Sequence, residues 1–271
     1  MFEQLVVDLN SADPGVRFYA AQRLGALGDE RAVEPLIAAL PDENSKVQYG
    51  ALSSLIKLGA DRAIQPILDV LLDNPNSRVW ELLKMSVGMR LRTGMIAMVR
   101  PDDRTLSDRL IGALAIDALD EHQRGLMVRM VGRTGDLRHF DALVDLLQAD
   151  RSLVSPVVKV AAAEALGHLR DSRAVHPLID ALSDNDDAIR ETAAEALGRI
   201  GDSMAFDAVL VTLNDESEWV RRASAEALGA FGDARAVDAL TNALSDESAM
   251  VQDAAFESLK RLSSDHFTAL L

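Results

Sequence analysis

Val158, Ile189, Val220 and Val251 recur at an interval of 31 residues, and the segments they open are closely similar. Three consecutive copies read VKVAAAEALGHLRDSRAVHPLIDALSDNDDA, IRETAAEALGRIGDSMAFDAVLVTLNDESEW and VRRASAEALGAFGDARAVDALTNALSDESAM. An earlier pair opens at Val16 and Val47. Self-similarity at such a period builds an array in which each unit packs mainly on its neighbours, because one unit alone cannot bury its apolar face.

Each copy carries apolar residues at helical spacing twice, as in Ile189, Ala193, Ala196, Leu197 and Ile200 and then Phe206, Val209, Leu210 and Leu213. A repeat is therefore two amphipathic helices. Between them stands a Gly-Asp step (Gly28-Asp29, Gly201-Asp202, Gly232-Asp233), where glycine ends the first helix in the left-handed region and Asp caps the second. Pro35, Pro66 and Pro177 fall in the second helix and are expected to bend it. Apolar residues make up 48% of the chain and aromatics 4%, which suits helix-on-helix packing through Ala, Leu and Val. The fold class expected is an all-α, right-handed α-solenoid of about seven to eight helical hairpins with an irregular central unit.

The register divides residues 1–271, read as one repeat domain, into an N-terminal half-repeat (1–15), two regular repeats (16–78), an irregular insertion (79–124), four repeats (125–250) and a partial repeat (251–271). The tail from His266 is expected to open a further second helix, with Leu270 and Leu271 leaving that end apolar. There are no cysteines, which excludes disulfides and cysteine-based catalysis or metal binding in this chain. No apolar run reaches the length of a membrane span, and Met-Phe-Glu-Gln lacks a signal-peptide pattern, so a cytoplasmic location without membrane insertion is expected. The net charge of −15 argues against nucleic acid as a partner.

The motif V-R-x-x-A-A-x-A-L-G-x-x-G-D-x-R-A-V-x-P-L-I-x-A-L, running from Val16 to Leu40 and again from Val158 to Leu182, resembles the phycobilisome-lyase type of HEAT repeat. That resemblance implies a HEAT-like α-solenoid. It also raises, as an alternative function, an E/F-type phycobilin lyase or a bilin or phycobiliprotein chaperone, whose family activity is to attach, isomerise or remove a linear tetrapyrrole at a cysteine of the substrate protein. A bilin would be the cofactor or cargo only on that reading; otherwise none is expected. Deoxyhypusine hydroxylase is also a HEAT-repeat protein, but it carries paired His-Glu steps that bind iron, and none of His122, His139, His168, His176 and His266 is followed by Glu. No i, i+4 histidine pair points to a metal site, and none is expected.

In stacked hairpins the second helices line the concave surface, so the position before the recurrent proline and the position four later should form a ladder along a groove. These positions hold Glu34, Gln65, Asp141, His176, Asp207 and Asp238, then Ala38, Asp69, Asp145, Asp180, Val211 and Asn242. The groove is expected to be acidic and to attract a basic protein surface.

The period breaks between Val79 and Gly125, an interval of 46 residues without a Gly-Asp-x-Arg-Ala step. Residues 78–138 carry a net charge of +3 against −18 for the remainder, and six of the nine methionines fall there. Met accepts irregular partners and Arg pairs bidentately with carboxylates. Trp80, Met85, Arg90, Arg92, Met95, Met98 and Arg100 are thus the candidate partner- or ligand-binding residues, suited to an acidic, partly apolar ligand such as a bilin with two propionates, or to an acidic protein helix. Trp80 is expected to serve as core or as a ligand platform. No catalytic constellation emerges and the chain is not clearly an enzyme. The function expected is a protein-binding scaffold or adaptor, its partner a protein such as a phycobiliprotein or a second HEAT-repeat chain.

Overall fold

The structure, a computed structural model, describes residues 1–59, 63–73, 80, 88–116 and 118–268. Among the described residues every regular element is helical. Contacts divide the chain into two compact units, Met1–Met130 and Val131–Leu271.

The first unit opens with α1 (Phe2–Asp8) and continues through α2 (Pro14–Leu27), α3 (Val33–Ala38), α4 (Ser45–Leu58), α5 (Ile64–Asp73), α6 (Gly88–Met98) and α7 (Arg104–Ala113). Helix α8 (Glu121–Thr134) runs across the unit boundary. The second unit holds α9 (Phe140–Gln148), α10 (Pro156–Leu169), α11 (Val175–Ala181), α12 (Asp187–Ile200), α13 (Phe206–Val211), α14 (Glu218–Phe231), α15 (Val237–Ala243) and α16 (Ala249–Thr268). Long first helices alternate with short second helices, as the two-helix repeat requires, and the fold is an α-solenoid.

The turn chemistry follows the sequence closely. Gly28, Gly201 and Gly232 take φ of 68°, 76° and 69°, ending α2, α12 and α14 in the left-handed region that glycine tolerates. Asp29, Asp202 and Asp233 then accept the amides of Arg31, Met204 and Arg235 at 2.9, 3.0 and 2.9 Å. Each cap starts a three-residue 3₁₀ turn (Glu30–Ala32, Ser203–Ala205, Ala234–Ala236), and the α-helix begins only afterwards.

That offset overturns the expectation of proline-bent helices. Pro35, Pro66 and Pro177 are each the third residue of α3, α5 and α11, inside the first turn, where the amide that proline lacks has no intrahelical acceptor. The tail also departs from the expected course: α16 continues without a turn to Thr268, so His266 lies in the same helix as the repeat's first half. Leu270 and Leu271 lie outside the described residues.

First helices pack unusually closely. A Cβ placed on Gly132, Gly167 or Gly198 would stand 2.5, 2.8 or 2.7 Å from the Cα of Ala165, Ala196 or Ala227. The glycine at this position of each of these first helices thus fits against a small residue of the next first helix, and Gly25 and Gly229 meet Ser54 and Ser258 in the same way. Both serines are buried and donate their hydroxyls to the carbonyls of Ala21 and Ala225 in the preceding helix, at 3.0 and 2.9 Å.

A second recurring device closes three of the hairpins. Arg17, Arg190 and Arg221, in the first turn of α2, α12 and α14, are about 7–8% exposed. Each grips an aspartate 25 residues further on (Asp42, Asp215, Asp246) through two guanidinium nitrogens, with every contact between 2.7 and 3.0 Å. The remaining nitrogen donates to carbonyls of the preceding loop, such as that of Asp184 for Arg190. This fork satisfies both the buried cation and the loop backbone. The copy opening at Val158 departs from it: Lys159 takes the arginine position and Asp184 pairs with Arg151 instead.

The irregular centre contains a disguised hairpin. Helix α6 packs on α4, where Gly94 leaves no room for a Cβ beside Ile56. Asp102 adopts φ 63°, the conformation glycine has elsewhere, and Asp103 caps α7 by accepting the Leu106 amide at 2.9 Å. Asp102-Asp103 thus joins a left-handed residue to an N-cap as the Gly-Asp steps do, since Asp enters the left-handed region more readily than most residues, but it lies beyond the end of α6 at Met98 and its cap reaches the third amide rather than the second.

Candidate functional site

The short second helices of the second unit present the expected ladder. Asp141, Asp145, His176, Asp180, Asp207 and Asp238 are all exposed, as are Val211 and Asn242. In the first unit Glu34, Ala38 and Asp69 are exposed and Gln65 is half-buried.

The ladder is not uniformly acidic, which the sequence reading missed. Three arginines two residues after a capping aspartate, Arg31, Arg173 and Arg235, fold back along the second-helix face. Arg173 lies 4.2 Å from the Phe140 ring centroid and Arg235 4.1 Å from that of Phe206, each stacking on the residue that opens the preceding second helix. Arg31 does the same over Phe2 at 4.4 Å. The same guanidinium returns to its own cap, with Nη2 of Arg173 2.8 Å from Asp171 and that of Arg235 2.7 Å from Asp233. The arginine side-chain and backbone hydrogen bonds hold both aspartates below the usual carboxylate range.

Arg235 also reaches Asp207 at 3.5 Å, and Arg173 feels the charge of Asp141. Basic and acidic side chains therefore alternate along part of this face. The signal was present in the sequence as the arginine two residues after each cap, but spacing alone does not say that it bends toward the preceding repeat. In the first unit Asp69 is paired with Arg109 of α7, which also donates to Gln65 Oε1 at 2.7 Å.

What remains uncompensated is specific. Asp145, Asp180 and Asp238 make no ion pair among the described residues. Val211, 71% exposed, places an apolar side chain in the same register.

The central candidates separate. Met95 and Met98 are buried, so they do not form the soft ligand-accepting surface expected of them: α6 turns both toward the core, where unbranched Met fills the irregular space. Met127 and Met130 are buried as well. Trp80 is also core, 2% exposed, with its indole N–H donated to the Leu71 carbonyl at 2.8 Å, which removes it as a ligand platform. Arg92 is half-buried and Arg100 exposed. Met85 and the Arg90 side chain lie outside the described residues.

A family model described as HEAT repeats matches residues 2–86, 151–210 and 206–271. No curated protein matches the sequence. Among solved structures the chain is similar to the complex of CpcE and CpcF of phycocyanin lyase from Nostoc sp. PCC7120, with 22% identity, 97% of this chain and 94% of that chain covered, and a TM-score of 0.47. It is also similar to human deoxyhypusine hydroxylase in complex with glycerol, with 19% identity, 97% and 96% covered and a TM-score of 0.43. YibA of Escherichia coli shows 18% identity, 96% and 92% coverage and a TM-score of 0.49. None of these likenesses bears on activity.

Proposed function

This chain belongs to the HEAT-repeat family, and we propose that it is a binding scaffold whose second-helix face takes up a basic segment of a partner protein. The observation that supports this reading is the set of exposed, unpaired carboxylates at Asp145, Asp180 and Asp238, with the exposed Val211 in the same register. Arg173 and Arg235 are held by their own caps and rings and form no ion pair with these three carboxylates. A partner with Lys or Arg side chains would be steered to these carboxylates, and one apolar side chain would gain a contact at Val211.

Affinity capture from the native host, comparing the wild type with Asp145→Asn/Asp180→Asn/Asp238→Asn, tests the reading. A reproducible partner lost by the triple variant is the expected result. Equal recovery by both proteins refutes the assignment of this face, and loss with Arg90→Glu/Arg92→Glu instead would move the site to the central segment. Bilin handling, the alternative, is supported by the repeat motif from Val16 to Leu40. Phycocyanobilin and an apo-phycobiliprotein mixed with the protein, with no change in bilin absorption and no adduct, remove it.

A further inference from the structure

Arg151, Arg173, Arg190, Arg221, Arg222 and Arg235 of the second unit are committed to carboxylates, but a group of its basic residues is not. In the second unit, the residue after three of the closely packed glycines is Arg133 (after Gly132), His168 (after Gly167) and Arg199 (after Gly198), in the last turns of α8, α10 and α12, whereas Ala230 follows Gly229. Because the glycines hold these helices in a fixed register, the following side chains form a row. Their proximity is direct: His168 lies within the field of Arg199, Arg133 and Arg170, and Arg199 Nη1 is 3.4 Å from where a Cβ on Gly167 would be.

Arg133, Arg170 and Arg199 make no ion pair among the described residues. The nearby carboxylates are otherwise engaged: Glu191, Glu195 and Glu226 all converge on Arg222 at 2.7, 3.1 and 2.9 Å, and Glu164 lies 3.9 Å from His168. Arg133 and Arg170 are exposed, and His168 and Arg199 are half-buried.

Compensation of the helix dipoles accounts for a basic residue in a last turn. It does not account for Arg170. That residue takes φ 52° at the turn position where Gly135, Gly201 and Gly232 stand in the neighbouring repeats. A side chain there strains the backbone, whereas glycine would not.

We propose that Arg133, His168, Arg170 and Arg199 form a docking row for an acidic, extended peptide segment of a partner protein. This surface is separate from the second-helix face and opposite in charge preference. General helix-packing distances match one ligand conformation. Packed helices stand roughly 8–10 Å apart, and a polyproline-II segment, with three residues per turn and about 3.1 Å rise, puts every third side chain on one side about 9 Å apart. An acidic side chain at every third position meets successive members of the row: the forks of Arg133 and Arg199 receive its carboxylates bidentately, and the His168 ring between them, whose pKa burial and Arg199 lower, serves as a polar contact rather than a cation.

The probe is a fluorescein-labelled (Glu-Pro-Pro)4 peptide, read by anisotropy at low and physiological salt, with (Lys-Pro-Pro)4 and a labelled oligouridylate alongside. Salt-sensitive binding of the Glu peptide is expected, weakened at least tenfold by Arg133→Glu/Arg199→Glu and unaffected by Asp145→Asn/Asp180→Asn/Asp238→Asn, whereas any binding of the Lys peptide belongs to the second-helix face and should be lost with the triple Asp variant. Arg170→Gly should raise the thermal unfolding midpoint while weakening the same peptide, which a folding defect cannot do. Absence of Glu-peptide binding at low salt, binding indifferent to Arg133→Glu/Arg199→Glu, or equal or tighter binding of the oligouridylate overturns the proposal.

Discussion

Replacing Arg221 by Met should destabilise the second unit by about 2–3 kcal/mol at neutral pH. Met retains the apolar stem, so the change isolates the guanidinium. That group donates to both Asp246 oxygens at 2.8 and 2.9 Å, to the Asp215 and Glu216 carbonyls at 2.9 and 3.3 Å, and lies 3.2 Å from Glu247. The Arg221 and Asp246 side chains are only 9% and 13% exposed, whereas Glu247 is 86% exposed and contributes little. Without the arginine, Asp246 keeps the Ser248 amide at 2.8 Å but loses its counter-charge. Removing one partner of a buried pair costs about 3–5 kcal/mol, and the loop position lets water reach part of the exposed carboxylate, which lowers the figure toward 2–3.

The pH dependence has a definite sign. The hydrogen bond from Arg221 is the largest influence on Asp246, and its folded pKa lies below the unfolded value. The pair's stabilisation is therefore fully present above the ordinary Asp pKa and is lost as pH falls through the folded value. Wild type and Arg221→Met should converge as pH is lowered below about 4. Urea unfolding at several pH values, with hydrogen exchange followed at α14 amides because repeat arrays need not unfold in one step, measures the gap. A difference under about 0.5 kcal/mol at neutral pH, or one that does not shrink with acid, would refute the reasoning, since both follow from a buried, charged fork. Adding Asp246→Asn to Arg221→Met should recover part of the loss by removing the orphaned charge.

Gly198→Ala should lower the unfolding midpoint, because the new methyl meets the Ala227 backbone; overpacking of about 1–3 kcal/mol exceeds the roughly 1 kcal/mol helix-propensity gain. Gly112→Ala on α7 has open space and should instead raise it by about that propensity gain, so equal responses in thermal melts would count against the close-packing account. Trp219 is 46% exposed and Trp80 2%, so acrylamide should quench emission from Trp219 and spare Trp80; Trp219→Phe should remove the quenchable fraction. The His168 ring is half-buried beside Arg199, and burial first and that charge second push its pKa below the ordinary histidine value. An NMR titration should show this, with Arg199→Gln moving the midpoint upward. Because the folded value is the lower one, the neutral ring's contribution to stability is present above the unfolded histidine pKa and is lost as pH falls.

The period, the two helices per repeat and the Gly-Asp turn were legible in the sequence because each rests on local chemistry: apolar spacing, a left-handed glycine and an adjacent cap. The left-handed Asp102 and the Asp103 cap of α7 escaped that reading because no glycine marks them, and only the backbone conformation reveals the turn. Pro35 and Pro177 were placed correctly in the second segment, but the 3₁₀ turn that shifts them into the first helical turn is a property of the capped backbone.

Side-chain destinations belonged to the tertiary structure. Met95 and Met98 look like surface candidates in a basic, irregular stretch, yet the packing of α6 puts them inside. Arg190 and Arg221 are indistinguishable by type from Arg199, but the first two are locked to aspartates 25 residues away while the third has none. A repeat fixes where each helix starts and which face is apolar, since those depend on neighbours along the chain. Whether a charge is spent on its own repeat or left for a partner depends on what lies across the helix interface, and that is decided only when the repeats are stacked.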